Sequence, residues 1–191
     1  MDAGAAQRIV AALEARPGDA VLEIGPGRGA LTGWLIAAAG RVCAIELDET
    51  LATALAARFD AARLVLLRGD VLELELATAA RALGAESVRL RIAGNLPYAI
   101  SKPLALRLVA QCAHVERAVL MYQREVARRL TARPGSRDYG PLTVLAGEAF
   151  RIEALFELGP GAFRPPPAVV STVTVWVPRA EPPAPEQQRR L

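Results

Sequence analysis

The chain has 191 residues, 52% apolar and 23% charged with only 5% aromatic, a composition that suits one packed core rich in Ala, Leu and Val and excludes a disordered or fibrous chain. No run approaches the roughly 18 apolar residues of a membrane span, and Asp2, Arg8 and Glu14 interrupt the start where a leader would need an apolar stretch, so a cytosolic protein with reduced thiols is expected. The net charge of +3 is unevenly placed: residues 1–87 hold 8 Arg against 12 acidic residues (−4), and residues 88–191 hold 15 basic against 8 acidic (+7), which marks the second half as the part suited to a polyanion.

Apolar runs bounded by Gly and Asp alternate with segments of helical period, the pattern of β-α-β units and a mostly parallel sheet. An opening helix over Asp2–Ala15 sets Ile9, Val10 and Leu13 on one face with Asp2 as its cap. Strands follow at Ala20–Ile24, Arg41–Glu46, Arg63–Leu67, Val88–Ala93 and Ala118–Tyr122, with helices between them at Ala30–Ala39, Glu49–Phe59, Leu76–Leu83 and Lys102–Cys112. A basic helix is expected at Arg124–Thr131, a turn-rich loop at Ala132–Asp138 and a short helix at Pro141–Gly147. Two last strands, Phe150–Leu158 and Ser171–Val177, are close enough in sequence to pair antiparallel at a sheet edge. The domain is therefore read as residues 1–177, with 178–191 a Pro- and Arg-rich tail that has little to bury. Cys43 and Cys112 show no metal-ligand spacing and His114 has no second imidazole, so neither a zinc site nor a Ser-His-Asp triad is expected; Cys43 reads as a buried strand thiol and His114 as a surface residue.

The segment Val21-Leu22-Glu23-Ile24-Gly25-Pro26-Gly27-Arg28-Gly29-Ala30 ends a strand and opens a helix, with glycines where the backbone must turn sharply beside a ligand. Gly25, Gly27 and Gly29 also satisfy a loose dinucleotide fingerprint, so glycines alone leave NAD open. Glu23 favours S-adenosylmethionine, because a carboxylate is awkward beside a pyrophosphate and suits an ammonium and a sulfonium. Glu46, followed by Leu47, ends the second strand where a ribose would be held, in either cofactor class. Asp70 offers an acceptor to an adenine amine and the Val71 amide a donor to a ring nitrogen. Each of these acids alone would be an ordinary strand-end charge. Three at the ends of successive strands define a nucleotide site.

Asn95-Leu96-Pro97-Tyr98, at the end of the fourth strand, resembles the N/D-P-P-Y/F motif of enzymes that methylate exocyclic amines. The adenine N6 lone pair is delocalised into the ring, so the amine must be held before it can attack. Acceptors at Asn95 Oδ1 and the Leu96 carbonyl would bind the N6 hydrogens and aim the lone pair, Pro97 would fix the turn, and Tyr98 would offer a stacking face.

Over nearly its whole length the chain resembles the small-subunit rRNA adenine dimethyltransferases. The resemblance rests on Leu22 to Thr32, Ala44 to Asp48, Gly69-Asp70 and Gly94 to Ser101, and more specifically on Gln123 to Leu130, Arg133 to Gly140 and Phe163-Arg164-Pro165-Pro166-Pro167. It implies a Rossmann-like methyltransferase fold, S-adenosyl-L-methionine as cofactor, and dimethylation of N6 on two adjacent adenines near the 3′ end of small-subunit rRNA in the pre-30S particle, by a monomer needing no metal. It also implies that Phe163 sandwiches the target base against Tyr98. Arg124, Arg128 and Arg129 at helical spacing, with Arg133 and Arg137, would form a stripe for RNA phosphates. Three departures stand out. The family's basic N-terminal arm would precede Asp2, where this chain starts at Met1; a helical C-terminal domain would stand where the polar residues from Pro178 do; and Ala168 and Val170 replace a usual Lys and Asp. Shortened termini are therefore expected. The rival readings are a macrolide-resistance 23S rRNA adenine methyltransferase, against which the Arg133 to Gly140 block argues; a non-catalytic RNA-binding factor on this fold, against which Asn95 and Glu23 weigh; and an NAD-dependent dehydrogenase, for which no hydride-transfer constellation follows the glycines.

Overall fold

The computed structural model describes residues 1–85, 88–163 and 166–180, with Tyr98 described through its backbone only. Among these residues seven strands form one sheet: β1 (Val21–Ile24), β2 (Val42–Glu46), β3 (Leu64–Arg68), β4 (Leu90–Asn95), β5 (Val115–Gln123), β6 (Phe150–Leu158) and β7 (Ser171–Pro178), in the order β3-β2-β1-β4-β5-β7-β6. The first five are parallel, and β7 runs antiparallel to both β5 and β6. The expected antiparallel pair is present, with β6 at the edge. The first helix, α1 (Ala3–Leu13), precedes β1. Parallel strands need crossovers, supplied by α2 (Thr32–Ala39), α3 (Glu49–Arg58), α4 (Leu76–Ala82) and α5 (Ser101–Ala110), while α6 (Arg124–Leu130) and α7 (Pro141–Ala149) lead from β5 to β6.

Two cores lie on the two faces of the sheet. Leu22, Ile24, Cys43, Ile45, Ile92 and Trp176 pack under α4, α5, α6 and α7, while Val21, Val42, Ala44, Ala93, Val119 and Val173 pack under α1, α2 and α3. Successive side chains of a strand point to opposite faces, so Glu23, Glu46, Asn95 and Ser171 take the α1–α3 side. The chemistry-bearing residues thus share one face before any loop is considered.

Several sequence expectations shift by a few residues for identifiable reasons. Asp2 caps α1, its Oδ1 accepting the Ala5 amide at 3.1 Å. β5 begins three residues before the apolar run, because Glu116 sits at an irregularity between Leu90/Arg91 and the polar heads of Glu116 and Arg117 conceal the strand from a reading of apolar residues. Arg117 and Arg91 turn back to the C-terminal end of α1, donating to the carbonyls of Ala12 and Leu13 at 2.8 and 3.0 Å while pairing with Glu14 and Asp19. Cations there satisfy carbonyls that the helix leaves open. β4 includes Gly94 and Asn95, which were expected just beyond it. Pro178, where the tail was expected to start, pairs with Phe150, and Arg179 bonds the carbonyls of Ala149 and Gly147. Residues 181–191 of that tail lie outside the described residues.

Beneath α6 and α7, Tyr122 and Phe150 flank the buried Trp176, with ring centroids 5.9 and 5.4 Å away. The indole Nε1 donates to Thr174 Oγ1 at 2.9 Å, and that hydroxyl donates in turn to the Leu120 carbonyl at 3.0 Å. Thr174→Val keeps the shape and strands the indole N–H in the core, so unfolding free energy should fall by about 1–3 kcal/mol, the cost of an unpaired buried donor. Urea unfolding followed by tryptophan fluorescence measures this; stability within about 0.5 kcal/mol of the parent would mean that the bridge contributes nothing net.

Candidate active site

The register sets the site. Ile24 lies level with Ile45 on one side and Gly94 on the other, so the loops after β1, β2 and β4 all leave the sheet at one edge, the crevice where open α/β sheets bind ligands. Gly25 and Gly27 hold φ of +61° and +57°, which L side chains rarely adopt, and Gly25 N–H still bonds the Ile45 carbonyl at 3.0 Å. Gly94 is required by proximity instead: a Cβ there would stand 3.0 Å from the Ile24 carbonyl oxygen.

Glu23, next to last in β1, is almost wholly enclosed, 1% exposed, and its Oε2 accepts the Thr32 hydroxyl from α2 at 2.7 Å. Burial pushes its carboxyl up to about 7; the Thr32 hydrogen bond opposes this, and the negative charge of Glu46 adds to it. Glu46 spans two segments, Oε2 accepting the Gly27 amide at 2.9 Å and Oε1 the Asp48 amide at 3.0 Å. It therefore ties the glycine loop to the end of β2, and each oxygen keeps a lone pair for a further donor.

Two adjoining cavities open here. One, of about 630 Å³, is lined by Glu23, Gly25, Gly27, Asn95 and Phe163 among others; the second, of about 470 Å³, shares Gly25, Gly27, Asn95 and Phe163 and adds Leu96, Pro97, Pro166, Pro167 and Ser171. Asn95 and Phe163, 68 positions apart in the chain, thus stand at the junction of both cavities. The stacking expected of Tyr98, and the Arg164-Pro165 part of the Phe163 loop, lie outside the described residues. Leu96 is buried, with its N–H toward the Met121 carbonyl at 3.4 Å, and the Pro97 carbonyl is occupied by the Ile100 amide and the Ser101 hydroxyl.

Some expected cofactor residues do not border these cavities. Gly29 faces α3, where an added Cβ would meet Leu55 Cδ2 at 3.0 Å and Phe59 Cε2 at 3.1 Å, so it serves helix packing. Asp70 Oδ1 caps its own turn through the Leu72 amide at 2.8 Å, Val71 packs on the core under α4 and α5, and Leu47 is 68% exposed at the end of β2. Both Asp70 and Leu47 remain on the same sheet edge as the cavity, beyond its wall. The sequence reading missed Met1, Arg28, Leu31, Asp48 and Leu51 of the larger cavity, and it missed the part played by Thr32. Asp48 also caps α3, its Oδ1 accepting the Thr50 and Leu51 amides. Arg124, Arg128, Arg129, Arg133 and Arg137 are all exposed, and none has an ion pair among the described residues, unlike Arg91, Arg107 and Arg117. Cys43 is buried, which pushes its thiol up to about 12, and His114 is exposed, as expected for both. Among the described residues no three His, Cys, Asp or Glu gather as metal ligands, and no helix is long and apolar enough to cross a membrane.

S-adenosylmethionine fits the donor set. Glu23, at the cavity wall, would meet the ammonium; Glu46, which lines neither cavity but holds the Gly27 amide of the loop that does, would offer acceptors two strands' width from Asn95; and the glycine loop brings backbone close without side chains. Fold and site together define the class of Rossmann-like S-adenosylmethionine-dependent methyltransferases. The family model of ribosomal RNA adenine dimethylase matches residues 1–190. The ribosomal RNA small subunit methyltransferase A of Pseudomonas aeruginosa is 42% identical over 191 residues, which cover 100% of this chain and 70% of that protein. In solved structures, the 23S rRNA methyltransferase ErmE superposes with a TM-score of 0.81 at 28% identity over 100% of this chain and 74% of its own, and a dimethyladenosine transferase from Plasmodium falciparum with 0.79 at 26% over 98% and 64%. The chain belongs to the ribosomal RNA adenine dimethylase family.

The titration of Glu23 gives a signed expectation. Its folded-state value, about 7, lies above the ordinary 4.5, so the protonated folded form is favoured; that stabilisation is complete below pH 4.5 and is lost as pH rises through 7. The ligand-free protein should lose on the order of 3 kcal/mol from this group between those limits, at about 1.4 kcal/mol per pH unit. A cofactor ammonium takes the ionised form, so affinity should rise with pH up to about 7 and then level. Glu23→Gln should abolish both slopes. Denaturation midpoints from pH 5 to 8, with calorimetric titration in buffers of different ionisation enthalpy, test this; equal slopes in parent and variant would remove Glu23 from the cofactor site.

Proposed function

We propose that this protein transfers methyl groups from S-adenosylmethionine to N6 of adenine in small-subunit rRNA, twice on each of two adjacent adenines near the 3′ end, acting as a cytoplasmic monomer on the pre-30S particle. The single observation that carries the chemistry is the position of Asn95 and Phe163 at the junction of two cavities, one holding Glu23 and the other rimmed by Pro97, Pro166 and Pro167. The relatives' names supply the substrate class. Residues 1–179, which include the anchoring Arg179, are the proposed catalytic domain.

Bound in the larger cavity, the cofactor supplies an electrophilic methyl group on a positively charged sulfur. The protein's part is placement. Asn95, exposed at the end of β4, offers its Oδ1 to an N6 hydrogen, which draws the amine toward a tetrahedral nitrogen and turns its lone pair toward the β1 loop. The Leu96 carbonyl is the second proposed acceptor. Phe163, held by its amide on the Pro160 carbonyl at 3.1 Å, presents a half-buried ring to the smaller cavity, where an extruded adenine would stack. No strong base is needed, because the methylated nitrogen is acidic enough to lose its proton to water. The exposed arginines of α6 and the following loop meet RNA phosphate.

A 23S rRNA target is the second reading, favoured by the ErmE superposition alone; 28% identity there against 42% to a small-subunit enzyme places it second. Incubation with labelled S-adenosylmethionine and under-methylated small and large subunits, followed by nucleoside analysis, separates them. Label in dimethyladenosine of the small subunit is expected, and label confined to the large subunit would overturn the reading.

Asn95→Ala leaves the glycine loop and Glu23 intact. Turnover should fall by about 10²–10³, the usual loss when one preorganised transition-state contact is deleted, with cofactor and RNA affinities little changed. Single-turnover methylation within a few-fold of the parent rate would rule out amine alignment by Asn95.

A further inference from the structure

α6 starts where the active-site edge ends. Asn95 is level with Met121 of β5, β5 runs on to Gln123, and the next amide, Arg124 N–H, bonds the Val170 carbonyl at 3.0 Å, next to Ser171 of the smaller cavity. From that cavity rim the exposed arginines of α6 lead to the loop 131–140. This loop is held by successive turns: the Ser136 amide and hydroxyl both donate to the Arg133 carbonyl, at 3.1 and 2.8 Å, and the Tyr139 amide donates to the Ser136 carbonyl at 3.1 Å. Gly135 supplies the φ of +81° that the first turn needs. Its far end is tied back to α6, the Thr143 hydroxyl accepting the Gly140 amide and donating to the Arg129 carbonyl.

This braced loop presents Tyr139, 41% exposed, between Arg133 and Arg137 on one side and α7 on the other. Among the described residues its ring joins neither core, faces no other ring or cation, and its hydroxyl has no hydrogen bond. A large aromatic here adds to neither core. An exposed ring on a braced backbone, with exposed arginines that make no ion pair among the described residues two and six positions before it in the chain, suits single-stranded nucleic acid, the ring stacking one base while the cations meet nearby phosphates. Because the turns fix the backbone beforehand, little conformational freedom is lost on binding.

Resting on the rRNA reading above, we infer that Tyr139 stacks an unpaired base of the RNA outside the methylation pocket and so sets which single-stranded segment is led to Asn95. The partner is single-stranded RNA, since a base in a duplex offers no open face.

The test uses the full chain and a fluorescein-labelled single-stranded RNA of mixed sequence, with a duplex of the same sequence alongside, titrated across a range of salt. Tyr139→Ala should weaken single-strand binding by about 5- to 150-fold, the range for loss of one stacked base, with the slope of log affinity against log salt unchanged. Tyr139→Phe should restore it, and duplex binding should not respond. Arg133→Ala and Arg137→Ala should each flatten the salt slope, by somewhat under one unit for a single strand. In Tyr139→Trp the indole emission should change as RNA binds. Parent-like affinity of Tyr139→Ala overturns the inference, as does a loss that comes with a flatter slope, or one equal for the duplex. S-adenosylmethionine affinity at the parent value confirms that each variant is folded. If the unaltered protein binds no RNA, the functional reading itself fails; if it binds and Tyr139→Ala matches it, only this inference does.

Discussion

The close parallel packing of β1 between β2 and β4 is the constraint on which the site depends. Gly94 lies so near the Ile24 carbonyl that any side chain there would force the two strands apart, and that same proximity brings Asn95 level with the glycine loop. Strand alternation then does the sorting. With Val21, Val42 and Ala93 committed to the core under α1–α3, Glu23, Glu46 and Asn95 must project on the same side, at the end where the strands stop.

Burying a carboxylate at that edge is costly, and the surroundings of Glu23 show how the cost is limited. Thr32 donates to one oxygen, the cavity gives access to the group, and burial raises its titration to about 7, so the less costly neutral form persists well above the ordinary carboxylate range. Glu46 meets the same problem differently, by accepting two backbone amides, and in doing so fixes the glycine loop against β2. One acid is relieved by protonation, and the other is structural through the two amides it accepts. Both roles follow from local hydrogen bonding and not from residue type.

The basic half of the molecule obeys a different rule. Arg91 and Arg117 belong to the fold, spent on the carbonyls and acids at the end of α1, whereas the arginines of α6 and its loop make no ion pair among the described residues. Free guanidinium groups beside the cavity rim are available to phosphate, and the link from Arg124 to Val170 keeps them in fixed relation to the Phe163 loop. Two parts of the chain that are distant in sequence are therefore joined beside the smaller cavity.

Much of this was legible in the sequence alone. Alternating apolar runs and helical periods specify the parallel sheet, Asp2 announces its cap, and glycines with an acid before them mark a nucleotide loop, because each of these signals acts within a few residues along the chain. Glu23, Glu46 and Asn95 stood out for the same reason, whereas Phe163 stood out only through the family resemblance. What the sequence could not decide is which of them meet. Gly29, read as a ligand glycine, packs against Leu55 and Phe59 of the α3 region; Asp70, read as an adenine acceptor, also holds its own turn through the Leu72 amide; and Thr32 and Asp48, given no site role from the sequence, support Glu23 and border the cavity. Burial and partner choice depend on helices crossing the sheet from far along the chain, so they are properties of the tertiary structure and have no local signal to read.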